Sequence, residues 1–234
     1  VVGTNWITKQ FVDAAHETGK YKLTAIYSRS LEQAQAFAND YPVEHLFTSL
    51  DELAQSPDVD AVYIASPNSL HFPQTRLFLS HKKHVICEKP LSANAKDVAE
   101  LQALAKERGL IYLEAIMFMH LPQRKLLEEA LKKIGDISVA KIDFCQRSSK
   151  YDAYLAGSLP NIFNPALETG ALMDLGVYCV YPALYLFGKP QNTLAVSHLL
   201  ASGADGSDIV AMQYPDKLVN LVFSKVRSEE RRVG

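Results

Sequence analysis

Three short stretches of this 234-residue chain hold side chains whose types and spacing could do chemistry. The first is Glu88-Lys89-Pro90, directly after the apolar run His84 to Cys87. A lysine at a strand tip, with proline fixing the backbone that follows, presents an ammonium to whatever lies at the sheet edge. A merely solvated lysine fits the same place. The second stretch is Gly170-Ala-Leu-Met-Asp174-Leu-Gly176-Val-Tyr178. Asp174 and Tyr178 are four residues apart and share a helix face, with Tyr181 and Tyr185 continuing the stripe. Tyrosines on an apolar helix serve packing as readily as function, but a carboxylate on that face is costly to bury without a partner. The third stretch, Val1-Val2-Gly3-Thr4-Asn5-Trp6-Ile7-Thr8, puts a glycine at the end of a buried strand, just before a helix reaching about Glu17. Such a turn aims helix N-terminal amides at a phosphate. Only the first glycine of G-x-G-x-x-G is present, so an ordinary strand-to-helix turn fits equally well; Asn5 tolerates the backbone angles the second glycine would adopt.

The elements that must position these residues alternate in the first half of the chain. Apolar runs at Val1-Val2, Leu23–Tyr27, Ala61–Ser66, His84–Cys87 and Leu110–Ala115 are separated by helical patterns such as Val98, Leu101, Leu104 and Ala105. Strand and helix in strict alternation imply a doubly wound parallel sheet, whose ligands bind beyond the carboxyl ends of the strands. The second run ends in Ser28-Arg29-Ser30, where an NAD-selective site usually has an acidic residue. A hydroxyl and a guanidinium there suit a 2′-phosphate, favouring NADP over NAD, although a solvated arginine near a helix start is the plainer reading. The third run ends in Ser66-Pro67-Asn68. After about Met119 the pattern changes. An amphipathic helix spans Gln123 to Ile134, a strand follows over Ile137–Cys145, then a polar loop to Glu168 and a long apolar helix from Gly170 to Phe187, expected to loosen around Pro182. A hairpin turning at Tyr214–Lys217 joins Ile209–Tyr214 to Leu218–Phe223. This half reads as an α+β domain with a mainly antiparallel sheet. The expected division is a dinucleotide-binding domain over 1–118, a second domain over 119–226, and a patternless charged octapeptide over 227–234, expected to be a non-native tail. The strand Leu218–Val226 is expected at an open sheet edge.

With 24 basic against 26 acidic residues, the chain lacks the basic excess of a nucleic-acid binder. No run of about 18 apolar residues is evident, so no membrane contact is expected. The three cysteines, Cys87, Cys145 and Cys179, are far apart and form neither a disulfide framework nor a metal site, which fits the cytoplasm.

Taken together, Gly3 to Ile7, Ser66-Pro67-Asn68 with His71, Glu88-Lys89-Pro90 and Gly170 to Tyr178 resemble the Gfo/Idh/MocA family of NAD(P)-dependent oxidoreductases, in its order and spacing over residues 1 to about 226. The Asp-x-Gly-x-Tyr form is similar to the branch holding dihydrodiol dehydrogenase and glucose-fructose oxidoreductase. The resemblance implies an N-terminal Rossmann domain, a second domain that continues beyond residue 226, and a homo-oligomer. It implies that Lys89 and Tyr178 are the catalytic pair and that Asp174 binds substrate. Gly3, Asn5, Trp6, Ile7, Ser28, Arg29, Ser66, Asn68, His71 and Glu88 would line NADP, with NAD possible. The implied reaction is hydride transfer between nicotinamide and a hydroxyl or carbonyl carbon of a sugar, cyclitol or trans-dihydrodiol. The rival is a non-catalytic NAD(P)-binding sensor of the same fold, which would need neither Lys89 nor Tyr178. Asn5, Glu168-Thr169 and Met117 to His120 depart from the family pattern and bear on substrate identity.

Overall fold

A computed structural model of the chain describes residues 1–227, so the charged octapeptide, apart from Arg227, lies outside the described residues. The chain divides into two compact units, Val1–Ala115 and the residues from Ile116 on. The ring of Phe118 meets that of Tyr185 edge-on, 6.2 Å between centroids, so the short helix Met117–His120 goes with the second unit rather than closing the first.

In the first unit β1 (Ala25–Tyr27) pairs in parallel with β2 (His45–Phe47). Strands β3 (Ala61–Ile64), β4 (His84–Glu88) and β5 (Tyr112–Ala115) form a second parallel run. Val2 bridges the two, to Tyr27 on one side and Ile64 on the other. The order β2-β1-Val2-β3-β4-β5 reverses direction beside residues 1–3, which is where a doubly wound sheet opens its binding crevice. Val62, Ile64, Val85 and Cys87 pack with Phe78, Leu79 and Leu101 in one buried cluster. Val12, Ile26 and Ala34 form another, as expected for a sheet with helices on both faces. The sequence pattern misses β2, three half-buried residues with no alternation to read.

In the second unit the sheet order is β6-β9-β8-β7, with β6 (Val139–Cys145), β7 (Asn192–Leu199), β8 (Asp205–Gln213) and β9 (Leu218–Ser224). β6 and β9 are parallel and the other pairs antiparallel. The β8–β9 turn closes where the sequence places it, the Tyr214 N–H donating to Lys217 O at 3.0 Å. β9 is paired on both sides, which corrects its expected place at an open edge. Val219, Leu221 and Phe223 are 0% exposed because β6 and β8 flank the strand and the helical stretch covers its inner face. The helical stretch lies on this face, burying Ala171, Leu175, Cys179 and Ala183 against Val210, Met212 and Leu221. Contrary to the expectation from the sequence, Pro165–Phe187 is long and apolar enough by composition to cross a membrane, with a mean hydropathy of 1.4. In this unit its residues Ala171, Leu175, Cys179 and Ala183 are set on the sheet. Its irregular turn is not at Pro182 but earlier: Leu172–Gly176 is π-helical and Val177–Phe187 is regular.

Asp208, on β8, is 5% exposed, and its Oδ2 has no hydrogen-bond partner among the described residues. Burial pushes its carboxyl up to about 6, opposed by the Ser197 hydroxyl and aided by the neighbouring Asp205. The folded state thus holds a proton that the unfolded chain gives up near 3.8. The resulting penalty is absent at lower pH, grows between those two values, and is complete above the upper one. Asp208→Asn is therefore expected to stabilise the protein near pH 7 by at most about 3 kcal/mol, and to be near neutral well below pH 4. Equal urea midpoints for the two proteins near pH 7 would refute this.

Candidate active site

In the first unit the expected cofactor residues gather at the carboxyl ends of adjacent parallel strands. Gly3 adopts φ +103, and a Cβ there would lie 2.9 Å from Ala65 O, so the turn passes close to the end of β3 only because position 3 has no side chain. Helix Trp6–Glu17 begins at once, capped by Asn5, whose Oδ1 accepts from the Ile7 and Thr8 amides, both at 3.1 Å. The Asn5 Nδ2 donates to Ala65 O at 3.0 Å. Asn5 therefore ties the helix start to the β3 tip, and two N-terminal amides expected to face a phosphate already have a partner. The Trp6 side chain stands 70% exposed beside this cap. A bare glycine turn, a helix N-terminus and a hydroxyl-bearing strand tip together fit a dinucleotide pyrophosphate.

At the β1 tip, Ser28 is buried and its hydroxyl donates to Gln33 Oε1 at 3.2 Å, whereas Arg29 is exposed. Of the two, Arg29 is the group available to an anionic ligand. Ser30 caps the next helix, accepting from the Gln33 N–H. At the β3 tip, Ser66 donates to the buried Gln74 at 2.7 Å, and Asn68 opens a short turn of 3₁₀ helix. His71 differs from expectation. It is 1% exposed, with Nδ1 2.7 Å from Pro90 O and Nε2 2.9 Å from Ser66 O. Both ring nitrogens face backbone carbonyls, so the ring joins the turn after β3 to the turn after β4.

The β4 tip is held from two sides. Glu88 Oε1 accepts from Tyr63 Oη, and Oε2 accepts from the Lys89 N–H at 3.3 Å. Tyr63 in turn stacks on Phe11 at 3.8 Å. On β5, Glu114 accepts from the Leu91 N–H at 3.1 Å, fixing the chain just after Lys89-Pro90. Burial raises the Glu114 carboxyl, with the Leu91 amide acting the other way. Lys89 itself is half-buried. Glu114 escapes sequence reading because an acid inside a short strand carries no spacing signal.

In the second unit the glycine-led motif has a geometric cause. A Cβ on Gly170 would fall 1.7 Å from Asp205 Oδ1, and Asp205 Oδ2 accepts from the Leu172 N–H at 2.6 Å. Gly170 is thus what lets β8 cap the helical stretch. A Cβ on Gly176 would meet the Phe223 ring at 2.8 Å, so Gly176 lets the stretch press onto β9. Between these two contacts the π-helical turn carries Asp174, whose Oδ2 accepts from the ammonium of Lys225. Tyr178, four residues on, is half-buried, with Phe144 edge-on at 5.7 Å. Tyr185 is spent on packing: it donates to Glu128 and lies under the Arg124 guanidinium at 4.8 Å. Lys225 and Asp205 were not anticipated. Lys225 had a signal, since it keeps the parity of Val219, Leu221 and Phe223 and so must point inward with them.

Residues 1–115 match the family described as an oxidoreductase family with an NAD-binding Rossmann fold, and residues 124–233 match the GFO/IDH/MocA C-terminal domain. The chain is 57% identical over 226 residues to the uncharacterized oxidoreductase YgjR of Escherichia coli and 45% identical to scyllo-inositol 2-dehydrogenase (NADP(+)) IolU of Bacillus subtilis. Each match covers 97% of this chain and 69% of the relative. Mouse trans-1,2-dihydrobenzene-1,2-diol dehydrogenase is 33% identical over 202 residues, covering 85% of this chain and 58% of its own. Among solved structures, KijD10, a 3-ketoreductase from Actinomadura kijaniata in complex with NADP and TDP-benzene, superposes with a TM-score of 0.87 at 27% identity, over 97% of this chain and 69% of that one. With both domain matches in chain order on the fold described above, this chain belongs to the Gfo/Idh/MocA family of NAD(P)-dependent oxidoreductases.

Proposed function

We propose that the protein interconverts a secondary alcohol and a ketone on a cyclitol, sugar or trans-dihydrodiol, with NADP as its preferred cofactor. The observation that carries this reading is a carboxylate, Asp174, fixed by a buried ammonium four residues ahead of Tyr178. A fixed acceptor beside a phenol suits a substrate with neighbouring hydroxyls, one to be held and one to react. The likeness to a dehydrogenase named for scyllo-inositol and NADP(+) supports both parts.

The bound nicotinamide supplies the hydride acceptor or donor. Gly3, Trp6, Ser66, Asn68 and Glu88 would hold the cofactor. In oxidation Tyr178 Oη takes the hydroxyl proton, and in reduction it returns a proton to the carbonyl oxygen. A free tyrosine titrates near ~10, too high for an effective base at neutral pH. By the family resemblance, Lys89 would supply the charge that favours the phenolate. Asp174 accepts a hydrogen bond from the hydroxyl next to the reacting carbon. The outer surface of β7 and β8, where Leu194, Val196 and Ile209 are 70%, 65% and 58% exposed, supports reading the protein as a homo-oligomer.

Cofactor choice tests the first half of this reading. Arg29→Ala is expected to weaken NADPH binding about ten-fold, by loss of a paired charge-assisted contact, and to leave NADH unchanged. Titration of nicotinamide fluorescence measures both. Equal dissociation constants for NADPH and NADH in the unmodified protein would refute the preference.

A further inference from the structure

Lys225 stands just beyond β9 with 1% of its surface exposed. Its backbone is fixed on both sides: the N–H donates to Gly206 O at 2.9 Å, and the C=O accepts from the Ser148 N–H at 2.7 Å. The strand's alternation carries its side chain inward two residues after Phe223, the ring against which Gly176 closes. A buried ammonium is tolerated only with a well-placed partner, and Asp174 Oδ2 is that partner. The Asp174 side chain keeps 31% of its surface exposed against 2% for Lys225. The lysine thus lies behind the carboxylate, and an incoming ligand meets Asp174 and not Lys225. Asp205, the acid on β8 nearest this turn in the chain of contacts, is committed to the Leu172 amide.

We propose that Lys225 is a positioning residue for the reaction: it keeps Asp174 charged and holds its carboxylate in one orientation, so that the carboxylate accepts a substrate hydroxyl without Lys225 touching the substrate. The proposal rests on the reading of Asp174 as a substrate ligand. Two features of this turn fit such a task. A π-helical turn places Asp174 out of the register of a regular helix, and such turns recur at functional sites. Both ends of the turn are pinned, by Asp205 at Leu172 and by Phe223 at Gly176, and the ammonium of Lys225 holds the carboxylate between them.

The test compares the unmodified protein with Lys225→Met, Lys225→Arg and Asp174→Asn. Asp174 is titrated directly by carboxyl carbon NMR, its signal assigned by its loss in Asp174→Asn. Initial rates of NADP⁺ reduction are measured with scyllo-inositol as the probe substrate across the acid range. In Lys225→Met the Asp174 titration is expected to move up by about one pH unit or more, and the acid limb of kcat/KM to move with it. KM for scyllo-inositol is expected to rise about ten-fold with kcat altered much less. NADPH affinity is expected to stay unchanged, and Lys225→Arg to restore most of the loss. An Asp174 titration that is the same in Lys225→Met as in the unmodified protein overturns the proposal. If Lys225→Met does not fold, the unmodified protein decides alone: an Asp174 that titrates no lower than an ordinary aspartate overturns it. A titration that moves while KM and the acid limb stay put overturns instead the reading of Asp174 as a substrate ligand, and the role of Lys225 in the reaction with it.

Discussion

Tyr178→Phe is expected to lower turnover with NADP⁺ and scyllo-inositol by about 10²–10⁴-fold while leaving NADPH affinity unchanged. The substitution removes one oxygen from a half-buried ring and keeps the edge-on contact with Phe144. Lys89→Ala is expected to cost a similar factor if, as the family resemblance implies, its charge favours the phenolate. The double variant is expected to fall far short of the product of the two losses, as groups acting as one unit do. Steady-state rates on the four proteins give the coupling directly. Retained turnover in Tyr178→Phe would return this tyrosine to the packing role that Tyr185 already has.

A second large effect concerns stability. Asp174→Leu removes the carboxylate to which the Lys225 ammonium, 1% exposed, donates. Breaking a buried ion pair from one side costs up to about 3–5 kcal/mol, because the remaining charge loses the opposite charge that offset its burial. Replacing both members by Asp174→Leu with Lys225→Met is expected to recover most of that loss, since apolar groups of similar size often serve as well as a buried pair. Chemical denaturation of the three variants, scored against the unmodified protein, decides the matter. A double variant as unstable as Asp174→Leu alone would mean that the lysine's charge is not the source of the cost.

The sequence made legible those parts of the fold that carry a period. The parallel strands β3 to β5, the amphipathic helix Gln123–Ile134 and the β8–β9 hairpin all stand where alternation, helical spacing or turn residues put them. β2 was missed because three half-buried residues carry no period. The place of β9 inside the sheet was missed because its pairing with β6, some 80 residues away, is a long-range event that local pattern does not encode. For the site, strand-tip location picked out Lys89 and Glu88, and helical spacing picked out Asp174 and Tyr178. The same rules could not show that His71 turns its nitrogens to Ser66 O and Pro90 O, or that Ser28 spends its hydroxyl on Gln33. Those outcomes depend on which backbone carbonyls and side chains the fold brings near. Gly170 and Gly176 were visible as motif members, but their reason, room for Asp205 and for Phe223, required the sheet beneath them.

The most direct test of the proposed reaction is isotopic. The protein is incubated with NADP⁺ and scyllo-inositol bearing deuterium at its ring carbons, and the NADPH formed is examined by proton NMR. Deuterium at nicotinamide C4, on one face only and in one equivalent per ketone released, is the expected result, together with faster formation of NADPH than of NADH under matched conditions. NADPH that carries no deuterium, or no reduction of NADP⁺ with scyllo-inositol, a sugar or a trans-dihydrodiol by a protein that binds NADPH, would contradict hydride transfer from such an alcohol and favour a cofactor-binding sensor.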